Sequence, residues 1–189
     1  MSSISLSKEE RQTCLAVARD SILHGLQQGC ALKLDINDYS SNLQQQRASF
    51  VTLHKNGQLR GCIGALEASQ PLIVDVSEHA YAAAFKDPRF NPVNDAELSL
   101  LDLEISVLSE PEVVEFSSEQ DLLKKIKPGV DGLILESGYN RGTFLPSVWQ
   151  QLPDVKEFLQ HLKLKAGLDK NWWSDKVKIS RYETFSFTS

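Results

Sequence analysis

The dipeptide Asn56-Gly57 stands between two apolar runs, Phe50-Val51-Thr52-Leu53-His54 and Leu59 to Leu66, with Lys55 and Gln58 on either side. Both turn residues tolerate the positive φ of a two-residue type I′ turn, and no short-range signal for a β-hairpin is stronger. Residues 49–66 are therefore expected to pair antiparallel. Counting outward from the turn, Lys55 faces Gln58, His54 faces Leu59, Leu53 faces Arg60 and Val51 faces Cys62. Cross-strand partners share a face. Arg60 and Cys62 are thus expected beside Val51 and Leu53, with His54 on the other face.

The second run reads Leu59-Arg60-Gly61-Cys62-Ile63-Gly64, a thiol between two glycines and two positions from a cation. An arginine among apolar neighbours calls for an anion or a carboxylate. A fixed positive charge near a sulfur also favours thiolate over thiol. Cys62 is then either a small packing residue or an activated nucleophile, and the residues alone leave both readings standing. Gly61 and Gly64 weaken a strand, but they permit a bulge or the close approach of a ligand to backbone N–H groups.

Around this hairpin the chain alternates helical and extended patterns. Ser7 and Glu10 form a capping box ahead of Leu15, Ala18, Ile22, Leu23 and Leu26, so a helix over 8–28 is expected, with Cys14 and Cys30 as packing thiols. The polar stretch Asp35 to Gln46 reads as a loop. A helix starts at Pro71 and stops before Pro88, with His79 on or beside its apolar stripe, as a core histidine or a base. Leu101 to Leu108 alternates as a strand that puts Asp102, Glu104 and Ser106 on one face, where Glu104 meets either solvent or Arg60. An acidic loop over 109–121 follows, then a short helix near 121–126, a strand from Val130 to Glu136 and a hairpin through Ser137-Gly138-Tyr139-Asn140. A helix from Val155 to Ala166 stops at Gly167, and a final strand runs from Val177 to Phe187.

At 189 residues the chain has room for one domain or two tightly associated subdomains, and its 41% hydrophobic and 24% charged content is that of an ordinary soluble globule. No apolar run approaches the ~18 residues of a membrane span. Met1 to Ser5 lacks the basic and apolar parts of a signal peptide, which favours a cytoplasmic location. Cys14, Cys30 and Cys62 show no paired spacing, and His24, His54, His79 and His161 are dispersed, so no metal site and no cofactor are suggested. The net charge of −5 disfavours a general nucleic-acid binder. Residues 87–121 hold ten acidic side chains and one basic, whereas residues 156–181 hold seven basic and three acidic. With Trp172 and Trp173, the second segment is either a solvated helix with inward-packed rings or, as a weaker reading, an RNA-binding surface.

Several segments together resemble the AMMECR domain family, whose bacterial and archaeal members are called AmmeMemoRadiSam system protein A. They are Leu59 to Gly64, Ala82-Ala83-Ala84-Phe85 with Asp87-Pro88-Arg89-Phe90, Glu104-Ile105-Ser106-Val107-Leu108, Ile126 to Gly132, Phe144-Leu145-Pro146 with Val148, and Phe158-Leu159 with Leu164 to Gly167. The resemblance spans nearly the whole chain from residue 8. It implies an α+β fold, a single domain over 1–189 of two intertwined, closely packed subdomains, each with a largely antiparallel sheet flanked by helices. It further implies that the Cys62 strand lies near their junction, and that a Memo-like or radical SAM protein is a partner.

Two functions compete on this basis. In the first, an enzyme acts on a small anionic substrate: Cys62 is the nucleophile, Arg60 activates it or binds substrate, Glu104 or His79 transfers the proton, and Gly61, Gly64, Asp87 and Arg89 contact the substrate. In the second, Arg60, Asp87 and Arg89 form a structural ion network in a non-enzymatic binding or adaptor module that uses the cleft between the subdomains.

Overall fold

The Asn56-Gly57 turn forms as expected, with φ of 54° and 74°. Strands β1 (Ser49–Lys55) and β2 (Gln58–Gly64) run antiparallel from it. The computed structural model describes residues 5–189; Met1 to Ile4, part of the segment read for a leader, lie outside the described residues. The chain divides into two compact units, Met1–Ser109 with Phe185–Ser189, and Glu110–Thr184.

In the first unit, β3 (Leu101–Leu108) and β8 (Thr184–Thr188) complete a four-stranded sheet in the order β2-β1-β3-β8. One face is covered by helices α1 (Lys8–Gln28) and α2 (Leu72–Phe85). The capping box opens α1: Glu10 N–H donates to Ser7 Oγ at 3.1 Å and Ser7 N–H to Glu10 Oε2 at 2.8 Å. Alternation decides what is buried. Val51, Leu53, Leu103, Ile105 and Val107 point at Ile22, Ile73, Val76 and Ala80, and all are essentially inaccessible. Each such side chain contributes ~1.5–3 kcal/mol on leaving water. Thr52, His54, Asp102, Glu104 and Ser106 take the alternate positions on the opposite face.

Cys14 is the packing thiol expected, fully enclosed, and burial pushes it up to about 12. Cys30 is not. It follows the helix stop at Gly29 and is exposed, with Sγ 3.6 Å from His24 Nε2. The stretch expected as a loop, Asp35 to Gln46, is one, with a short 3-10 turn over Ile36–Asp38, and is tied down by its own polar side chains. Ser40 Oγ and Asn42 Nδ2 donate to Glu10 at 2.7 and 3.0 Å, and Leu43 is buried beneath them. A one-turn helix α3 (Asp95–Leu98), not foreseen, starts from an Asn94/Glu97 capping box.

The second unit holds β4 (Glu112–Val113), α4 (Glu119–Lys125), β5 (Gly132–Ser137), β6 (Asn140–Phe144), α5 (Val155–Lys165) and β7 (Lys178–Tyr182). Its sheet order is β4-β7-β5-β6. The expected acidic loop thus contains a short strand and the start of a helix. The single final strand expected over 177–187 is two: it breaks at Glu183, so that β7 joins this sheet and β8 the other. Trp149 stacks on Phe158 with centroids 3.7 Å apart, and its indole N–H donates to Asp131 O at 2.7 Å. Trp172 and Trp173 pack against the same core, and buried Lys163 lies 5.5 Å from the Trp173 centroid and 2.5 Å from Glu119. The tryptophan pair, partly buried, thus packs inward as the first of the two readings expected. Among the described residues no helix is long and apolar enough to cross a membrane.

The close approach of α2 to β2 occurs at Gly61, where a Cβ would stand 2.2 Å from Ala83 O. Gly61→Ala is expected to cost about 1–3 kcal/mol of unfolding free energy through overpacking. Urea denaturation reads this directly, and an unchanged midpoint would contradict it.

Candidate functional site around Cys62

Strand β2 is the outer strand of its sheet, and its pairing slips by one residue. His54 faces Leu59, but Leu53 faces Gly61, leaving Arg60 as an extra residue in a bulge. Beyond it Thr52 faces Cys62, Val51 faces Ile63 and Phe50 faces Gly64. The expected pairs Leu53–Arg60 and Val51–Cys62 are thereby overturned, because a one-residue slip sends each side chain to the other face. Cys62 leaves the helix-covered core face for the polar one, where His54 also lies. Gly61 permits the slip by letting the backbone pass beneath Ala83. Arg60 gains from it, since its guanidinium turns out of the strand to a carboxylate.

That carboxylate is Glu97. Arg60 Nε and Nη2 each donate to it at 3.0 Å, Lys55 Nζ donates at 2.8 Å, and the Asn94 N–H at 3.2 Å. The Arg60 guanidinium first, then Lys55, hold the Glu97 carboxyl down at about 2. The expectation that Arg60 meets Glu104 or the Cys62 sulfur is not met. Glu97 escaped notice in the sequence, and its only signal there was the spacing Asn94-x-x-Glu97.

A second carboxylate fixes the Cys62 backbone. In a non-hydrogen-bonded cross-strand pair both backbone polar groups point away from the partner strand. Here the Cys62 N–H donates to Asp87 Oδ2 at 2.9 Å, and its carbonyl accepts from Arg89 Nη2 at 3.3 Å. Arg89 in turn donates Nε to Asp87 Oδ1 at 2.9 Å and Nη2 to Oδ2 at 2.7 Å. These guanidinium bonds, with the Cys62 N–H, hold the buried Asp87 carboxyl far below the usual carboxylate range. Asp87 raises the Arg89 value, and the neighbouring Cys62 adds to it. Arg60, Asp87 and Arg89 therefore belong to two ion networks rather than one.

On the polar face the half-buried sulfur accepts from Thr52 Oγ1 at 3.2 Å. Glu104 faces Thr52 from β3, so Cys62, Thr52 and Glu104 form a row across three strands, the outer two ~9.5 Å apart. Asp102 faces His54 one step along. Neither His54 nor Asp102 was a candidate in the sequence, where the regular register set His54 apart from Cys62. His79 stands on the helix side: Nδ1 is 3.0 Å from Asp75 Oδ2, and the same oxygen accepts from the Ser49 N–H and Oγ at 2.9 and 2.6 Å. Gly61 and Gly64 have their open sides filled, by Ala83 O and by the Phe50 ring. Among the described residues no three His, Cys, Asp or Glu side chains gather closely enough to hold a metal ion.

Glu97→Gln leaves Arg60 and Lys55 with a neutral partner, at a cost of about 2 kcal/mol near neutral pH. A depressed folded value stabilises above the unfolded one, so this contribution is full above 4.5 and is lost as pH falls toward 2. Unfolding followed at several pH values should show wild type and variant converging over that interval. A gap that stays constant would contradict the assignment.

Comparison with known proteins places the chain in a family. The AMMECR1 family sequence model matches residues 15–187. A protein of Methanothermobacter thermautotrophicus is 41% identical over 184 residues, which cover 96% of this chain and 95% of that one. Protein MJ0810 of Methanocaldococcus jannaschii is 43% identical over 159 residues, covering 82% and 79%. The crystal structure of uncharacterized protein PH0010 from Pyrococcus horikoshii superimposes with a TM-score of 0.82 at 34% identity, over 93% of this chain and 89% of that one. Its likeness accords with the α+β architecture of two antiparallel four-stranded sheets flanked by helices. The chain belongs to the AMMECR1 family.

Proposed function

We propose that this protein is a thiol-dependent enzyme in which Cys62 Sγ attacks an electrophilic centre of a small anionic substrate. The observation that supports it is the setting of the sulfur: half-buried on a polar sheet face, hydrogen-bonded by the Thr52 hydroxyl, on a backbone held by Asp87 and Arg89. Arg89 commits Nε and Nη2 to Asp87 and Cys62, while its side chain stays 55% exposed. Its Nη1 is left for an anionic group of the substrate. Glu104, too distant for the thiol, exchanges a proton with the bound substrate. The association with Memo-like and radical SAM proteins that the family resemblance implies is a proposal of the same kind.

A non-enzymatic binding module is the second reading. What favours it is that Asp87 and most of Arg89 serve the backbone of β2 itself.

Alkylation at pH 7 separates the two, with modification of Cys62 quantified by peptide mass spectrometry and N-acetylcysteine as reference. The enzyme reading expects Cys62 to react with iodoacetamide about tenfold faster than the reference, the margin of an activated thiolate. It also expects iodoacetate to gain on iodoacetamide at Cys62, and Arg89→Gln to abolish that gain. Cys62 no faster than the reference, with no preference for the anionic reagent, would leave the binding module.

A further inference from the structure

The slip at Arg60 that turns Cys62 to the polar face brings it onto the face of His54, the only histidine carried by that sheet among the described residues. We propose that His54 is the group that takes the proton from Cys62, with Asp102 as the carboxylate that supports the resulting imidazolium. The inference rests on the reading of Cys62 as a nucleophile and adds the base that this reading lacks.

Placement carries it. His54 lies two residues along β1 from Thr52, which makes it a diagonal neighbour of Cys62, and such neighbours are ~7–8 Å apart. An imidazole and a thiol directed toward each other span that distance. Glu104 starts ~9.5 Å away, with Thr52 between. His79 stands on α2, on the other side of the sheet, with Nδ1 3.0 Å from Asp75 Oδ2. No hydrogen bond, ion pair or ring contact ties His54 among the described residues, so its two side-chain torsions can bring the ring to the sulfur.

The charges around it suit the task. Asp102 stands directly opposite His54 on β3, and Glu104 is the next residue on that face. The nearby cations, Lys55 and Arg60, are bound to Glu97. An imidazolium at position 54 therefore meets two carboxylates and no unpaired cation from the strands beside it. In the step itself the Sγ–H bond breaks, an N–H bond forms on the ring and the electron pair stays on sulfur. The imidazolium keeps the proton for the leaving group. No oxidant or further reactant enters.

The test is the rate of Cys62 alkylation by iodoacetamide from pH 5 to 9 in the full chain, comparing wild type, His54→Gln and Asp102→Asn. His54→Gln should lose about tenfold at pH 7 and recover only as pH approaches the ordinary thiol range near ~8.5. Asp102→Asn should show a smaller loss in the same direction. Imidazole added to the buffer should restore part of the His54→Gln rate, which a purely structural role for His54 would not allow. A His54→Gln profile that overlays wild type, or no rescue after a loss, overturns the assignment of the base and leaves the nucleophile standing. A wild-type Cys62 no faster than N-acetylcysteine overturns both.

Discussion

One bidentate ion pair goes with the register of the strand that carries Cys62. Arg60 would sit among fully buried Val51 and Leu53 if the hairpin kept the regular register of its turn. A guanidinium there lacks the partner that burial demands. Glu97 supplies the partner from outside the strand, and reaching it takes Arg60 out of the ladder as a bulged residue. The cost is one unpaired strand position. The result is that every later residue of β2 changes face, and Cys62 becomes a half-buried sulfur on the polar face rather than core filler.

A second carboxylate acts on the backbone where the first acts on a side chain. Asp87 holds the Cys62 N–H, Arg89 holds the carbonyl, and both bonds are charge-assisted, roughly twice as strong as neutral ones. The peptide around the sulfur is thus fixed on one side by β1 and on the other by this pair. Only the rotation about the Cys62 side chain stays open, and the Thr52 hydroxyl biases that. An atom on so constrained a mount has little freedom to reorganise, which is how packing and charge in the strand fix the position of the sulfur.

Much of this was legible in local sequence. The Asn56-Gly57 turn, the Ser7/Glu10 capping box and the alternation from Leu101 to Leu108 each depend on residues a few positions apart, and each formed as expected. The bulge did not announce itself, because Gly61 allows a slip without requiring one, and the residue that requires it, Glu97, lies 37 positions from Arg60. The same limit hid the neighbourhood of Cys62 and His54, because the face of Cys62 depends on the register. It also hid the break at Glu183, which exists because β7 and β8 pair in different sheets. The family blocks marked Cys62, Asp87 and Arg89 as notable without saying that the last two would grip the peptide of the first.

The position of β2 at the rim of its sheet has a consequence for how molecules of this protein behave in company. An outermost strand with free N–H and C=O groups is a template on which a foreign strand can polymerise. At Cys62 that template is already filled, by a carboxylate on the N–H and a guanidinium on the carbonyl. An incoming chain would have to displace an ion pair to continue the ladder. The contacts that seat the thiol thereby also guard the edge against a foreign strand, so that a lesion at position 87 would unblock it.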